Sequence, residues 1–238
     1  MNAGRTARER ARSELTREIK EAARRQLSVS GAQGLSLRAV ARELGMVSSA
    51  LYRYFANRDE LLTALIIEAY HALADEIEAA DRAALSSDFR GRWQAACRAA
   101  RSWALANPHE YALVYGSPVP GYRAPEATVA PGTRVPAALV RIVREAHEAG
   151  AVTVRPDEPP LPPILADQAA RIAALLAPDV PLSVIIASTL AWTQLFGMVT
   201  FELFGQYANS LDPADAYFDY TVDRMADLIG LPESEPDM

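Results

Sequence analysis

Apolar positions recur at helical spacing from the first segment onward. Between Thr6 and Val29, the residues Leu15, Ile19, Ala22, Ala23 and Leu27 form one stripe among charges, which predicts an amphipathic helix. Gly31 and Gly34 end it. Ser36 stands where a side-chain oxygen can cap a second helix, Leu37 to Leu44, with Val40, Ala41 and Leu44 turned inward. Gly45 stops that helix, and a third is expected over Ser48 to Phe55 after a gap of three residues. Asn57 and Glu60 have the spacing of a capping box, and Asp59 adds a first-turn acid. They open a long fourth helix, which Leu61, Leu62, Leu65, Ile66, Ala69, Leu73 and Ile77 carry to about Ala84.

The second half reads the same way. A helix over Phe89 to Ala106 carries Trp93, Cys97 and Trp103 and stops before Pro108. Tyr111 to Tyr115 fits one or two turns. The stretch "GSPVPGYRAPEATVAPGTRVP", Gly116 to Pro136, has five prolines and is expected to be irregular, with Thr133 or Pro136 opening a helix to Ala149. After the proline-rich "RPDEPPLPP", helices are expected over Pro163 to Leu176, Pro181 to Gln206 and Pro213 to Ile229. Alternation of strand type nowhere exceeds four residues, and no internal repeat is present.

The run from Val184 to Phe204 is 21 residues long with a single charge, Glu202. Its length would suit a membrane span. Ser188, Thr189, Thr193, Gln194 and Thr200 dilute it, and no Lys or Arg cluster flanks it, so the reading is no membrane. A helix apolar all round must be covered on both sides. One side can take its own domain; the other predicts a second copy of the chain. Glu202 needs a partner if it is buried, either across that pair or at an exposed end.

Charge divides the chain. Residues 1–58 hold 12 Arg/Lys against 5 Asp/Glu, while the remainder holds 12 against 25, for a net charge of −6. A basic head on an acidic body suits a polyanion partner for the head alone. The sequence has one cysteine, Cys97, which excludes an internal disulfide framework and fits a cytoplasmic protein. Met1 to Arg12 is polar and arginine-rich, without the pattern of a secretory signal. His71, His109 and His147 lie far apart, and no metal spacing, phosphate loop or nucleophile elbow occurs. The expectation is therefore no enzyme, no metal and no cofactor.

Two helices joined by a three-residue turn, Gly45 to Val47, have the form of a helix-turn-helix. The major groove admits one α-helix, whose leading end must be slim for its backbone to approach the bases. Here that end is Ser48, Ser49 and Ala50: two hydroxyls that give or accept hydrogen bonds, and a methyl that can touch thymine. Leu51 and Phe55, four apart, anchor the helix inward. Tyr52, Arg53 and Tyr54 surround the rim. Arg38 and Arg58, near the starts of the second and fourth helices, are placed to hold flanking phosphates.

Ile19, Ala22–Ala23, Gly31, "GLSLRAVARELG" and "LYRYFANRDELL" together resemble the DNA-binding domain of the TetR family of bacterial transcriptional regulators. The family pattern has valine then a small capping residue after the glycine; this chain has Met46 and Val47, and valine cannot cap. The resemblance implies a homodimer on a near-palindromic operator, usually a repressor, released when a ligand in the C-terminal domain shifts the DNA-binding domains apart. Matching family DNA contacts are Ser36, Arg38, Ser48, Ser49, Tyr52, Tyr54 and Arg58. "WTQLFGMVTFELFG" resembles a subgroup of the C-terminal domain in which Trp192, Gly197 and Glu202 would be the marked positions.

The resulting expectation is an all-α fold: an N-terminal arm and three-helix head over 1–58, joined through a long helix 4 to a larger helical effector and dimerisation domain over 59–230, about nine helices, then a flexible acidic tail over 231–238. Trp93, Trp103, Tyr111, Tyr115, Trp192 and Phe196, with Tyr122, are candidate walls for a small apolar or aromatic effector. Arg101 and His109 are candidate polar contacts there, though as surface groups they need no such role. Two alternatives stand beside the ligand-responsive repressor. One is a DNA-binding regulator controlled by a protein partner, contacted through Gly116 to Pro136. The other is a helical enzyme or lipid carrier with an incidental basic head.

Overall fold

The computed structural model describes residues 3–154 and 159–233. Among them are ten α-helices and two short 3-10 turns, with no strand. Packing divides the chain into two compact units, residues 1–69 with 107–129, and residues 70–106 with 130–238. The two units part between residues 69 and 70, inside the fourth helix, whose first turn holds positions 58 and 59. Residues 155–158, in the proline-rich connection, and 234–238, in the acidic tail, lie outside the described residues.

In the first unit, α1 (Ala3–Ser30) buries Ile19, Ala22, Ala23 and Leu27, the stripe its periodicity marks. A 3-10 turn over Ala32–Gly34 leads to α2 (Leu37–Glu43). The Ser36 hydroxyl accepts from the Ala39 amide at 3.5 Å, a long cap bond. Gly45 adopts φ 65°, its amide donates to the Arg42 carbonyl, and the Met46 amide donates to that of Ala41. These two bonds close α2 and require a left-handed residue, which glycine supplies without strain.

α3 is shorter than its pattern predicts. It spans Ser48–Leu51, and Tyr52 to Tyr54 form a turn instead of a further helical turn. The Arg53 and Tyr54 amides bond three residues back, to Ala50 and Leu51, which tightens the chain toward the next helix. Leu51 is fully buried and Phe55 nearly so, as their spacing requires.

α4 (Arg58–Ala83) opens with the capping box shifted by one residue. Asn57 Oδ1 accepts from the Glu60 amide at 2.8 Å, and Glu60 Oε2 accepts from Ala56, not from Asn57. Glu68 of α4 receives both Lys20 and Arg24 of α1, and Arg24 also donates to Glu110 at 2.7 Å. Glu110 belongs to α6 (Pro108–Tyr115), which starts three residues ahead of the one or two turns expected over Tyr111 to Tyr115.

The second unit takes the rest of α4, then α5 (Phe89–Ala106), α7 (Val129–Glu148) from its second residue, α8 (Pro163–Leu176), α9 (Leu182–Leu203) and α10 (Asp215–Ile229). The segment Gly116 to Pro136 is not irregular throughout, since Glu126–Thr128 makes a 3-10 turn and α7 begins at Val129. Pro131 sits in the first turn, where no amide donor is needed. Pro136 removes one donor inside the helix, and burial of Val135, Leu139, Ile142 and Val143 offsets that loss.

α9 packs on α8, α10 and α5. It is long and apolar enough to cross a bilayer, and half of it is buried within the protein. Leu190, Phe201 and Phe204 remain about half exposed on it, and Gly197 opens onto empty space. Glu202 finds its partner within the chain. Arg101 clasps it bidentately at 2.7 and 2.8 Å, bonds Asp215 at 2.9 Å, and lies over the Phe218 ring. Arg101 is therefore a largely buried structural group and not a free surface cation. Asp81 is buried between Arg92 and Arg141, and Arg92 also reaches Glu145 at 2.6 Å. Cys97 is fully buried, and burial pushes its thiol well above the ordinary range.

Candidate nucleic-acid interface

Ser36, Arg38, Tyr52 and Arg58 come from separate local elements, yet they line one shallow depression of about 320 Å³ in the first unit. The glycine stop after α2 and the short α3 bring them together. Arg38, Ser49, Tyr52 and Arg53 are exposed, while Ser36, Ser48, Ala50, Tyr54 and Arg58 are half-buried. The leading end of α3 thus presents small groups, with Ser49 the most open of the three. Its N-cap is Val47, whose side chain makes no cap bond and stands 70 % exposed. Ser48 is thereby left as the first residue of the helix and does not become its cap.

The basic groups around this tip differ in how far they are engaged. Arg38 and Arg53 have no ion pair among the described residues. Arg58 donates to the Ala32 carbonyl at 2.7 Å and lies 3.5 Å from Asp59. It therefore holds the turn before α2. Tyr52 keeps the rim position expected of it. Tyr54 lies partly under cover, with the Arg12 guanidinium 5.4 Å from its ring centre. That contact holds Arg12 of α1 beside the turn that follows α3. Sequence reading missed it, because residues 42 apart carry no local signal of their pairing.

A surface of this kind can bind a polyanion by charge and approach base edges with short side chains. No cluster of His, Cys, Asp or Glu able to hold a metal occurs among the described residues.

The candidate effector residues separate. Trp93 and Trp192 line an apolar cavity of about 200 Å³ within the second unit, together with Pro136, Leu139, Ile172 and Leu176. Trp103 and Phe196 lie in the same unit but are not among the lining side chains, although Phe196 meets Trp192 edge-on at 6.3 Å. Tyr111 and Tyr115 belong to the first unit and stack on each other at 5.4 Å. Tyr122, also in that unit, shares a hydrogen bond with Thr63. His109 is exposed on α6. The aliphatic walls from α7 and α8 were not singled out by sequence, because helical spacing marks an inward face without saying whether it meets a neighbour or a void.

Residues 19–65 match the family described as bacterial regulatory proteins, tetR family, and residues 93–225 match that described as tetracyclin repressor-like, C-terminal domain. The HTH-type transcriptional regulator Rv1816 of Mycobacterium tuberculosis (strain ATCC 25618 / H37Rv) is 40% identical over 211 residues, spanning 88% of this chain and 89% of that protein. The crystal structure of regulatory protein SCO4313 superposes with a TM-score of 0.72 at 32% identity, covering 91% of this chain and 97% of that one. A protein of unknown function from Rhodococcus sp. RHA1 gives a TM-score of 0.69 at 28% identity, covering 92% and 96% of the two chains.

Proposed function

Because the chain belongs to the TetR family of bacterial regulatory proteins and is a DNA-binding transcriptional regulator, we propose that it is a cytoplasmic, ligand-responsive repressor that binds a near-palindromic operator as a homodimer. One observation carries the reading of the DNA side. The slim tip of α3 stands beside Arg38 and Arg53, cations with no carboxylate of their own among the described residues. In this reading Ser48, Ser49 and Ala50 meet base edges, and Ser36, Arg38, Tyr52, Arg53, Tyr54 and Arg58 meet the backbone on either side.

Pairing of two copies is supported by α9, where Leu190, Phe201 and Phe204 stay half exposed around the open face of Gly197. An apolar face of that kind is stabilised by covering it, and a glycine lets a second helix come close. The apolar cavity of the second unit favours a small-molecule effector over control by a protein partner through Gly116 to Pro136.

Selection from a random duplex library, followed by sedimentation of the protein alone and on the selected duplex, tests the reading. An inverted repeat bound by two chains is the expected result. Folded protein that enriches no inverted repeat, or that binds the selected duplex as a single chain, would refute it.

A further inference from the structure

The cavity of the second unit carries a chemical signature beyond its apolar walls. Trp93 and Trp192 both border it, and the indole N–H of each is buried with no acceptor among the described residues. A buried donor left unpaired is costly, and native proteins seldom leave two of them beside one cavity. Of the three hydroxyl residues on the wall, Thr133, Ser188 and Thr189, the two on α9 are in the converse state. Ser188 Oγ donates to the Val184 carbonyl at 2.7 Å, and Thr189 Oγ1 donates to that of Ile185 at 2.9 Å. Their protons are committed to the helix, so neither can serve the indoles' would-be ligand as a donor. The unmet need on this wall is therefore for an acceptor.

Charge is excluded just as firmly. Among the described residues, no Lys, Arg, His, Asp or Glu lines the cavity. A carboxylate entering it would lose its hydration and meet no counter-charge. Size sets the last bound. The volume is about 200 Å³, and an apolar cavity of roughly 150 Å³ takes up benzene. There is room for one ring and a short substituent.

We propose that this cavity takes a neutral ring compound bearing a carbonyl-type oxygen, which accepts a hydrogen bond from the indole N–H of Trp93 or Trp192. This rests on reading the second unit as the ligand-sensing half of the protein. The effector class is thereby narrowed from apolar molecules in general to uncharged acceptors such as aryl ketones; it excludes free acids and disfavours plain hydrocarbons.

The test uses the full chain and three probes of nearly equal shape: acetophenone, ethylbenzene and benzoate. Tryptophan fluorescence and thermal shift give each affinity. Acetophenone should saturate and raise Tm, and ethylbenzene should bind about five- to tenfold more weakly for want of the hydrogen bond. Benzoate should show no saturation over the same range. Trp192→Phe should narrow the gap between acetophenone and ethylbenzene, and Trp103→Phe, away from the cavity wall, should leave it unchanged. Benzoate binding as well as acetophenone, ethylbenzene matching it, or no probe binding would each overturn the proposal. If Trp192→Phe does not fold, the ranking of the three probes on the unaltered chain still decides. Operator affinity measured with saturating acetophenone separates the two readings. An intact ranking with unchanged DNA affinity upholds the cavity chemistry and sinks ligand-responsive repression. A failed ranking, with operator binding preserved, sinks only the class proposed here.

Discussion

Arg38 and Arg53 of the helix-turn-helix face solvent with no ion pair among the described residues, whereas Arg92, Arg101 and Arg134 of the second unit each meet two carboxylates. Both units are rich in arginine. What separates them is the supply of acids: 10 Asp/Glu against 13 Arg/Lys in the first unit, and 20 against 11 in the second. The same side chain thus serves two ends. Surrounded by carboxylates it cross-links helices; deprived of them it remains available to an anion from outside. Arg24 shows that the rule follows the local partners and not the unit, since it lies in the first unit yet is held by Glu68 and Glu110.

The contrast can be broken most severely at Asp81. Asp81→Asn leaves the buried Arg92 and the half-buried Arg141 around an uncharged amide, and unfolding in urea should show a loss of about 3–5 kcal/mol. A loss under about 1 kcal/mol would mean that these arginines are solvated well enough to need no acid. Acid should act on the same network. Burial works against the charged form of Asp81, but hydrogen bonds from Arg92 and Arg141 outweigh it and hold its carboxyl below the ordinary range. The hydrogen bond from Arg134 does the same for Glu78 against partial burial. With both folded values depressed, the unfolded chain takes up protons first. Their stabilisation is therefore present above the ordinary carboxylate range and is lost as pH falls through the folded values. Tm should hold level near neutrality and drop on acidification, and Asp81→Asn should flatten that drop.

The exposed arginines should behave oppositely. Arg53→Ala should change stability by less than about 0.5 kcal/mol. It should weaken DNA binding across sequences and reduce the slope of log affinity against log salt by about one, the share of a single phosphate. An unchanged slope in a filter-binding titration would remove Arg53 from the phosphate-binding groups. Arg58→Ala is the less clean probe, because it also removes the bond to the Ala32 carbonyl. The mildest effect on DNA binding is expected of Gly45→Ala. Nothing lies within 4 Å of a Cβ placed there, so only the backbone at φ 65° is strained. The cost should be about 1 kcal/mol, read as a small fall in Tm with operator preference intact.

The head was legible because its signals are local. Ser36, Gly45 and Asn57 each act on residues within four positions, and Leu51 with Phe55 announces its own inward face. The end of α3 was not, since Tyr52 to Tyr54 suit a helix by composition and are turned aside by the approach to α4. The start of α7 was hidden by Pro131 and Pro136, whose helix-breaking tendency is waived in a first turn and outweighed by burial further on. The bidentate pair of Glu202 with Arg101 bridges 101 positions, a distance over which no pattern in the sequence speaks. Trp93 and Trp192 drew attention as aromatics, but nothing in their spacing distinguished them from Trp103, which does not line this cavity.

The lone thiol of Cys97, sealed inside the second unit with its proton held tightly, has a practical consequence. Maleimide and nitroxide reagents attack the thiolate, so the native protein should resist them while folded. A cysteine placed at Ser49 would then be the sole reactive handle on each copy, with no background to remove. If two copies pair as proposed, electron–electron dipolar spectroscopy on the labelled protein would report the separation of their α3 tips directly, with and without acetophenone.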